Sequence, residues 1–260
     1  MMLSNAAVSL LVVSTPSQYD LGVTPSAQDY DPHAFPPFAV ATDIVVFTIR
    51  AQRLQVVLVQ RNEDPYRLAW ALPGGFVRPD EDLEQTARRE LAEETRIETA
   101  PDFLTQLGAY GDPARDPRMR VVSVAWWAVV ADLPEPEAGG DALYADVLPV
   151  TDVLSGRMSL AFDHAKILND ALEALRSALE ETTLATTFQP GPFRISDLRR
   201  VYEVVWGTEL DPGNFQRKVR QTPGWLADTG ETAVGKGGRP ASLFTGPDEV
   251  TALDRPVRRS

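Results

Sequence analysis

Glu90, Glu93 and Glu94 are the residues of this 260-residue chain whose type and spacing point most directly to chemistry. They lie in the stretch Leu72 to Ile97, LPGGFVRPDEDLEQTARRELAEETRI, which reads as a glycine turn feeding a helix. Side chains three and four apart share a helix face, so the three carboxylates project together. Like charges so placed weaken a helix by roughly a few tenths of a kcal/mol per pair, a cost that a bound divalent cation would offset. An oxygen-only ligand set favours Mg²⁺ or Mn²⁺, with phosphate oxygens and water completing the shell.

The elements that must hold this patch follow from the same stretch. Leu83, Ala87 and Leu91, four apart each time, form the stripe that buries the helix against a sheet. Gly74 and Gly75 let backbone approach a diphosphate closely, and Arg89 is placed to pair with Glu81 and pin the loop onto the helix. A solvated helix laced with i,i+4 pairs such as Arg89 with Glu93 is the simpler account of a bare EExxR run. The intact loop and spacing weigh against it. Gly75, five residues, Glu81, seven residues, Arg89-Glu90-Leu91, one residue, Glu93-Glu94, one residue, then Arg96-Ile97 resembles the signature of the Nudix family. Arg96 is the one departure, standing where the family has glycine. A glycine there ends the helix in a left-handed turn, so Arg96 is expected to distort the last turn or let it run on.

Ahead of this stretch, residues 1–36 are rich in Ser, Pro and Asp and read as a disordered arm on which Tyr19 and Tyr30 could pack. Ala39 to Ile49 and Leu54 to Gln60 are β-branched-rich runs around a short polar turn, a hairpin of central strands. Arg61 follows directly; in the hydrolases this stretch resembles, the region borders the nucleotide, which makes Arg61 a candidate phosphate or ribose contact and Trp70 a packing residue there or within the core. Behind the helix, the loop from Asp112 to Arg120 offers Arg118 and Arg120 as diphosphate contacts. Val121 to Val130 reads as a buried strand with Trp126 and Trp127 on opposite faces, and Leu143 to Val150 as another. Asp163 to Glu180 is a long amphipathic helix opened by His164, whose role is capping or packing in preference to general base.

Composition bounds the rest. With 43% apolar residues the chain can bury a substantial core, and its length suggests two domains. The absence of cysteine agrees with a reducing cytosol and excludes thiolate metal sites. Residues 6–13 are apolar but too few to span a bilayer, and no Lys or Arg precedes them, so neither a membrane span nor a signal peptide is expected. The net charge of -12 is uneven: residues 1–190 carry 14 Lys+Arg against 28 Asp+Glu, and residues 191–260 carry 11 against 9. Nucleic acid would be met by the second part.

There, after a linker from Glu181 to Gln189, Ser196 is expected to cap a helix ended by Gly207. Asp211 and Pro212 start a second helix. In it Phe215 and Val219 face inward, while Asn214, Arg217, Lys218 and Gln221 share another face with the side chains that read base edges and phosphates. Gly235 to Pro240 then reads as a hairpin tip whose Lys236 and Arg239 also face DNA. Two helices and such a hairpin look like a winged helix-turn-helix. The Gly230 to Lys236 run mimics a phosphate-loop motif, but Gly237 replaces its Ser/Thr.

The combination is similar to the Nudix-related transcriptional regulators of NAD metabolism. The runs LPGGFV, DPRMRVVSVAW, AFDHAKIL, SDLRRVYEVVWG, NFQRKV and GRPASLF carry the likeness over roughly residues 38–245. The expected architecture is α+β: an arm (1–36), a Nudix-type mixed sheet with flanking helices (37–182), a small winged helix-turn-helix (183–250) and a flexible tail (251–260). The resemblance implies a cytoplasmic homodimeric repressor of genes for NAD synthesis or salvage, bound to a double-stranded operator and modulated by ADP-ribose. Two rivals stay open. One is an ADP-ribose pyrophosphatase using Mg²⁺ on the glutamates; the other is a pocket that serves only to dimerise the DNA-binding domains.

Overall fold

The structure, a computed structural model, describes residues 31, 34, 36–99, 101–233 and 240–258. The arm with Tyr19 and Tyr30, and the hairpin tip with Lys236 and Arg239, lie outside the described residues. Residues 38–260 form one compact unit.

The expected hairpin is β1 (Ala39–Arg50) and β2 (Arg53–Arg61), closed by Ala51 and Gln52, both at positive φ, the two-residue turn whose twist matches the strands. Short strands β3 (Trp70–Ala71) and β4 (Gly74–Phe76) lead into helix α1 (Leu83–Thr95), followed by β5 (Phe103–Tyr110), β6 (Val121–Val129) and β7 (Ala142–Pro149). These strands form one mixed sheet. Its spine runs β3-β2-β1-β6-β5, with β4 pairing β1 and β7 pairing β2; β1 and β6 run parallel and the other pairs antiparallel. The buried, β-branched centre of β1 and β2 is what a strand covered on both faces requires.

On one face, Ile44, Val46, Val57 and Val147 pack against Leu91 of α1. On the other, Val45, Phe47, Val56, Leu58 and Trp127 meet helix α3 (His164–Glu181), reached through a short helical turn α2 (Val150–Asp152) and a wider turn at Val153–Arg157. Trp126 and Trp127 serve opposite cores, as their alternation demands.

The second core does not stop at the sheet. It continues without a break through α3 into a 3-10 turn (Thr183–Phe188), α4 (Ile195–Trp206), α5 (Pro212–Gln221) and the hairpin β8 (Ala227–Ala233) and β9 (Ala241–Thr245). Three expectations change here. The segment expected as a linker is the buried 3-10 turn, with Leu184 and Ala185 at 0% exposure, because its threonines hydrogen-bond locally and its apolar residues plug the joint. The tail expected to be flexible is, through residue 258, packed: Leu253 and Val257 are buried and their N–H groups donate to Glu181 and Glu180 carbonyls. Finally, α4 starts before Ser196, and the Asp197 carboxylate, not the serine, accepts the Arg194 N–H at 3.0 Å.

Candidate functional site

A cleft opens where β1, β4, the end of α1, the loop at residues 115–118 and the start of α3 converge. The Asp82 carboxylate accepts the Gln85 N–H while Gln85 reaches back to Asp82 N–H, so the capping box fixes where α1 begins below it. Gly74 and Gly75 line the cleft, and backbone leaves no room for a Cβ at Gly74. A Cβ at Gly74 would collide with the Thr42 carbonyl, and one at Gly75 with the Glu90 carboxylate.

Arg89 is the hub of the carboxylates. Its Nε and Nη2 meet Glu81 at 2.6 and 2.9 Å, and its Nη1 meets Glu90 at 2.6 Å and Glu93 at 3.0 Å. The hydrogen bonds from Arg89 hold the Glu81 carboxyl down to about 2. Glu93 is also met by Arg78 at 3.2 Å. Glu94 faces the other way, buried beneath the cleft, accepting the Gly74 N–H at 3.0 Å. Asp141 lies within hydrogen-bonding reach of it. Burial, with Asp141 and Glu90 beside it, pushes the Glu94 carboxyl well above the usual carboxylate range, and burial also raises Glu90.

The three glutamates therefore do not converge. Among the described residues no three His, Asp or Glu side chains gather at a metal-sized point. A guanidinium supplies the positive charge between Glu90 and Glu93, so as arranged they do not fit the three-carboxylate Mg²⁺ or Mn²⁺ site expected. Of the three glutamates only Glu94 lines the cleft, beside Asp141.

Arg96 neither distorts the helix nor extends it. It adopts the left-handed conformation itself (φ 57°, ψ 17°), at a cost of about 1 kcal/mol, and donates its N–H to the Ala92 carbonyl. The loop before β7 covers the helix end: Glu137 and Gly139 N–H groups donate to the Thr95 and Glu94 carbonyls. That same crossing carries Asp141 to Glu94.

Arg61 and Arg118 both line the cleft, on either side of Phe162, with guanidinium carbons 5.0 and 5.8 Å from its ring centre. Asp116 orients Arg118 through two hydrogen bonds at 3.0 and 2.7 Å. Arg120 is not in the cleft; its guanidinium stacks over Phe38 at 5.3 Å. Trp70 also stays outside and packs on the core. His164 is structural, its Nδ1 accepting the Leu72 N–H at 2.9 Å and its Nε2 lying 3.3 Å from Asp43.

Sequence reasoning missed the network on the cleft floor. Asp43 accepts from Ser123 at 2.6 Å and from Arg115 at 3.2 Å, and Arg115 also holds Asp163 at 2.7 Å. Burial acts to raise the Asp43 carboxyl, but His164, Ser123 and Arg115 together bring it down to about 2. A lone aspartate inside the apolar β1 run was the signal available.

In the second module, Asp211 caps α5 through the Asn214 N–H at 2.7 Å, with Pro212 at the first position and Phe215 and Val219 buried, as expected. Asn214, Arg217 and Gln221 are exposed, and Arg217 donates to the Asn214 side chain; Lys218 is half-buried. Arg194 and Arg220, not singled out beforehand, line a groove between α4, α5 and β9, together with Ser196.

The NUDIX domain pattern matches residues 37–171. The chain belongs to the Nudix family. Behind its Nudix domain, the NrtR DNA-binding winged helix domain matches residues 187–245. Over 217 residues the chain is 29% identical to the ADPR responsive transcriptional repressor NtrR of Acinetobacter baylyi, covering 83% of this chain and 84% of that one. It superposes with a TM-score of 0.68 and 31% identity on Shewanella oneidensis NrtR complexed with a 27mer DNA, over 84% of this chain and 99% of that one. An ADP-ribose pyrophosphatase of Methanocaldococcus jannaschii is 37% identical over 116 residues, 45% of this chain and 64% of that protein. Nudix domains generally use divalent metals, which sharpens the contrast with the guanidinium at the centre of this one. No described helix is long and apolar enough to cross a membrane.

Proposed function

We propose that the chain is a DNA-binding transcriptional repressor, acting as a cytoplasmic homodimer on genes of NAD synthesis or salvage, with ADP-ribose or a related nucleotide diphosphate sensed in the Nudix cleft. The observation that carries the reading is the placement of α3. Its first residue, His164, is hydrogen-bonded into the cleft, and its last turns are bonded to the winged helix through Arg176 and Val205. Eighteen residues of helix, about 27 Å, thus join a ligand site to a DNA-reading module within one continuous core. A repressor answering to a small ligand needs such a connection, and a hydrolase does not. The names of the Acinetobacter and Shewanella relatives support the same assignment.

Within the cleft, Arg61 and Arg118 offer charge to a diphosphate and the exposed Phe76 ring offers stacking. On DNA, α5 presents Arg217 and Gln221 to base edges while Arg194 and Arg220 meet phosphate. The exposed apolar side chains Phe38, Val40, Phe76 and Met119 provide a surface for a second copy, which would let two α5 helices read two half-sites.

The rival reading, an ADP-ribose pyrophosphatase, draws on the intact signature and on the Methanocaldococcus relative. Against it stands Arg89, which occupies Glu90 and Glu93. We infer that hydrolysis is absent or weak and that the ligand acts as a signal. The test is a shift assay with a duplex from the promoters of candidate NAD genes, using the full chain and Arg217→Ala. Sequence-specific retention by the wild type, weakened by about 1 to 3 kcal/mol in Arg217→Ala, is expected. No retention of any duplex, together with AMP release from ADP-ribose at an ordinary enzymatic rate of about 1 to 1,000 per second, would overturn the proposal.

A further inference from the structure

The C-terminal ten residues fall beyond the matched winged helix domain, and neither the cleft nor the helix-turn-helix accounts for them. Through residue 258 they are nevertheless built in. The Thr183 N–H donates to the Thr251 carbonyl and the Thr251 N–H to the Thr183 hydroxyl, both at 2.9 Å. Leu253 and Val257 are buried, while Arg255 and Arg258 between and beyond them are exposed. Anchored at Leu253 and Val257, the segment leaves Arg255 and Arg258 facing outward.

Their position relative to α5 is specific. With Phe215 and Val219 inward, Arg217 and Gln221 form the crest of the helix, and two flanks remain. Gln216 and Arg220 line a groove with Pro240 and Ser242 of the wing. On the opposite flank, Asn214 and Lys218 line a groove with Pro256 and Arg258 of the tail, which Glu209 and the capping Asp211 also border. Burial, then the charges of Arg255 and Arg258, hold the Lys218 ammonium below its ordinary value, as expected of cations brought together. Among the described residues, no ion pair or hydrogen bond engages the Lys218 ammonium or the Arg255 and Arg258 guanidiniums, although the chain as a whole carries a net charge of -12.

The charge count sharpens this. Residues 191–250 hold 8 Lys+Arg against 8 Asp+Glu, whereas residues 251–260 hold 3 against 1. The basic excess of the second module therefore comes entirely from the tail. A helix lying in the major groove has a phosphate strand on each side, since the groove is about 12 Å wide and the helix about 10–12 Å. The wing flanks one side of α5, and the unpaired tail cations flank the other.

We propose that the C-terminal tail is a second phosphate-binding flank of the DNA interface, with Arg255 and Arg258, beside Lys218, contacting the DNA backbone on the side of α5 opposite the wing. This rests on the DNA-binding reading above. It assigns these arginines to affinity and not to sequence choice, because phosphate contacts carry no base information.

The experiment is a salt titration of DNA affinity for the full chain, for Arg255→Gln/Arg258→Gln and for Arg255→Lys/Arg258→Lys. The probes are a duplex selected by the wild type from a random pool and an unrelated duplex of equal length. The glutamine variant is expected to bind both duplexes more weakly by the same factor, with the slope of log K against log salt shallower by about 1.8, two phosphate contacts' worth. The lysine variant keeps a slope close to that of the wild type. An unchanged slope in the glutamine variant, or a lysine variant as impaired as the glutamine one, would overturn the proposal. A wild type that binds neither duplex would instead remove the DNA-binding reading itself, before any variant is compared.

Discussion

Arg176 on α3 donates from Nε to the Val205 carbonyl on α4 at 3.1 Å, and the Trp206 indole N–H donates back to the Arg176 carbonyl at 3.4 Å. These reciprocal bonds satisfy two backbone groups at the joint between the Nudix domain and the winged helix, and Glu173 holds the guanidinium in place at 2.6 Å. Ligand occupancy at the other end of α3 can bias the winged helix only if such a joint transmits a difference between two arrangements.

Arg176→Ala should therefore weaken communication more than either binding event. Operator affinity without ligand and ADP-ribose affinity without DNA are expected to stay within a few-fold of wild type. The change in operator affinity that ADP-ribose produces should shrink by about 0.5 to 2 kcal/mol. Fluorescence anisotropy of a labelled operator, titrated with and without ADP-ribose, reads this directly; an undiminished ligand effect would show that the joint carries no coupling.

Glu94 makes stability depend on pH. Its carboxyl is raised by burial and by Asp141 and Glu90, so the folded state holds the proton more tightly than the unfolded chain. Below the unfolded value both states are protonated and nothing is lost. As pH rises through and beyond that value the unfolded state ionises first, and folding is penalised. Glu94→Gln keeps an oxygen for the Gly74 N–H and gains an N–H₂ for Asp141. It is expected to raise stability at pH 7 to 8 by about 1 to 3 kcal/mol and to make little difference at pH 4. Denaturant melts at the two pH values check this, and an equal effect at both would mean that the proton on Glu94 is not what matters.

Much of this architecture was legible in the sequence because its signals are local. The β1–β2 hairpin and the α5 start at Asp211-Pro212 each arise from residues a few positions apart. What escaped depends on residues far apart in the chain. Asp141 reaches Glu94 only because Gly139 crosses the end of α1, and Arg115 reaches Asp43 across 72 positions. Arg96 shows the converse. Its mismatch with the family pattern was visible, but whether a side chain pays the left-handed cost or moves the helix end is decided by the covering loop, which spacing does not encode. The joint expected as a linker and the tail expected as flexible are packed because the few apolar residues among their polar ones are buried, which composition alone does not show.

The cleft arginines separate by position. Arg118→Ala should weaken ADP-ribose binding about tenfold or more, the worth of a charge-assisted contact of roughly 1.5 to 3 kcal/mol, while Arg120→Ala should leave it unchanged. Because Arg89 already neutralises Glu90 and Glu93, chelation of divalent ions is expected to alter the wild-type affinity by less than about threefold. Isothermal calorimetry with and without chelator measures both. A complete loss of binding on chelation would place a metal ion in the ligand site and displace the arginine-centred description.

The claim that one chain couples a Nudix ligand site to DNA is tested most directly by reciprocal titration. Operator affinity is measured with and without saturating ADP-ribose, and ADP-ribose affinity with and without saturating operator. Linkage requires the two ratios to be equal, and a coupling of 1 to 3 kcal/mol sets them at roughly 5- to 150-fold. Equal ratios in that range are what the account predicts. Two ratios of one, with both ligands bound, would contradict it.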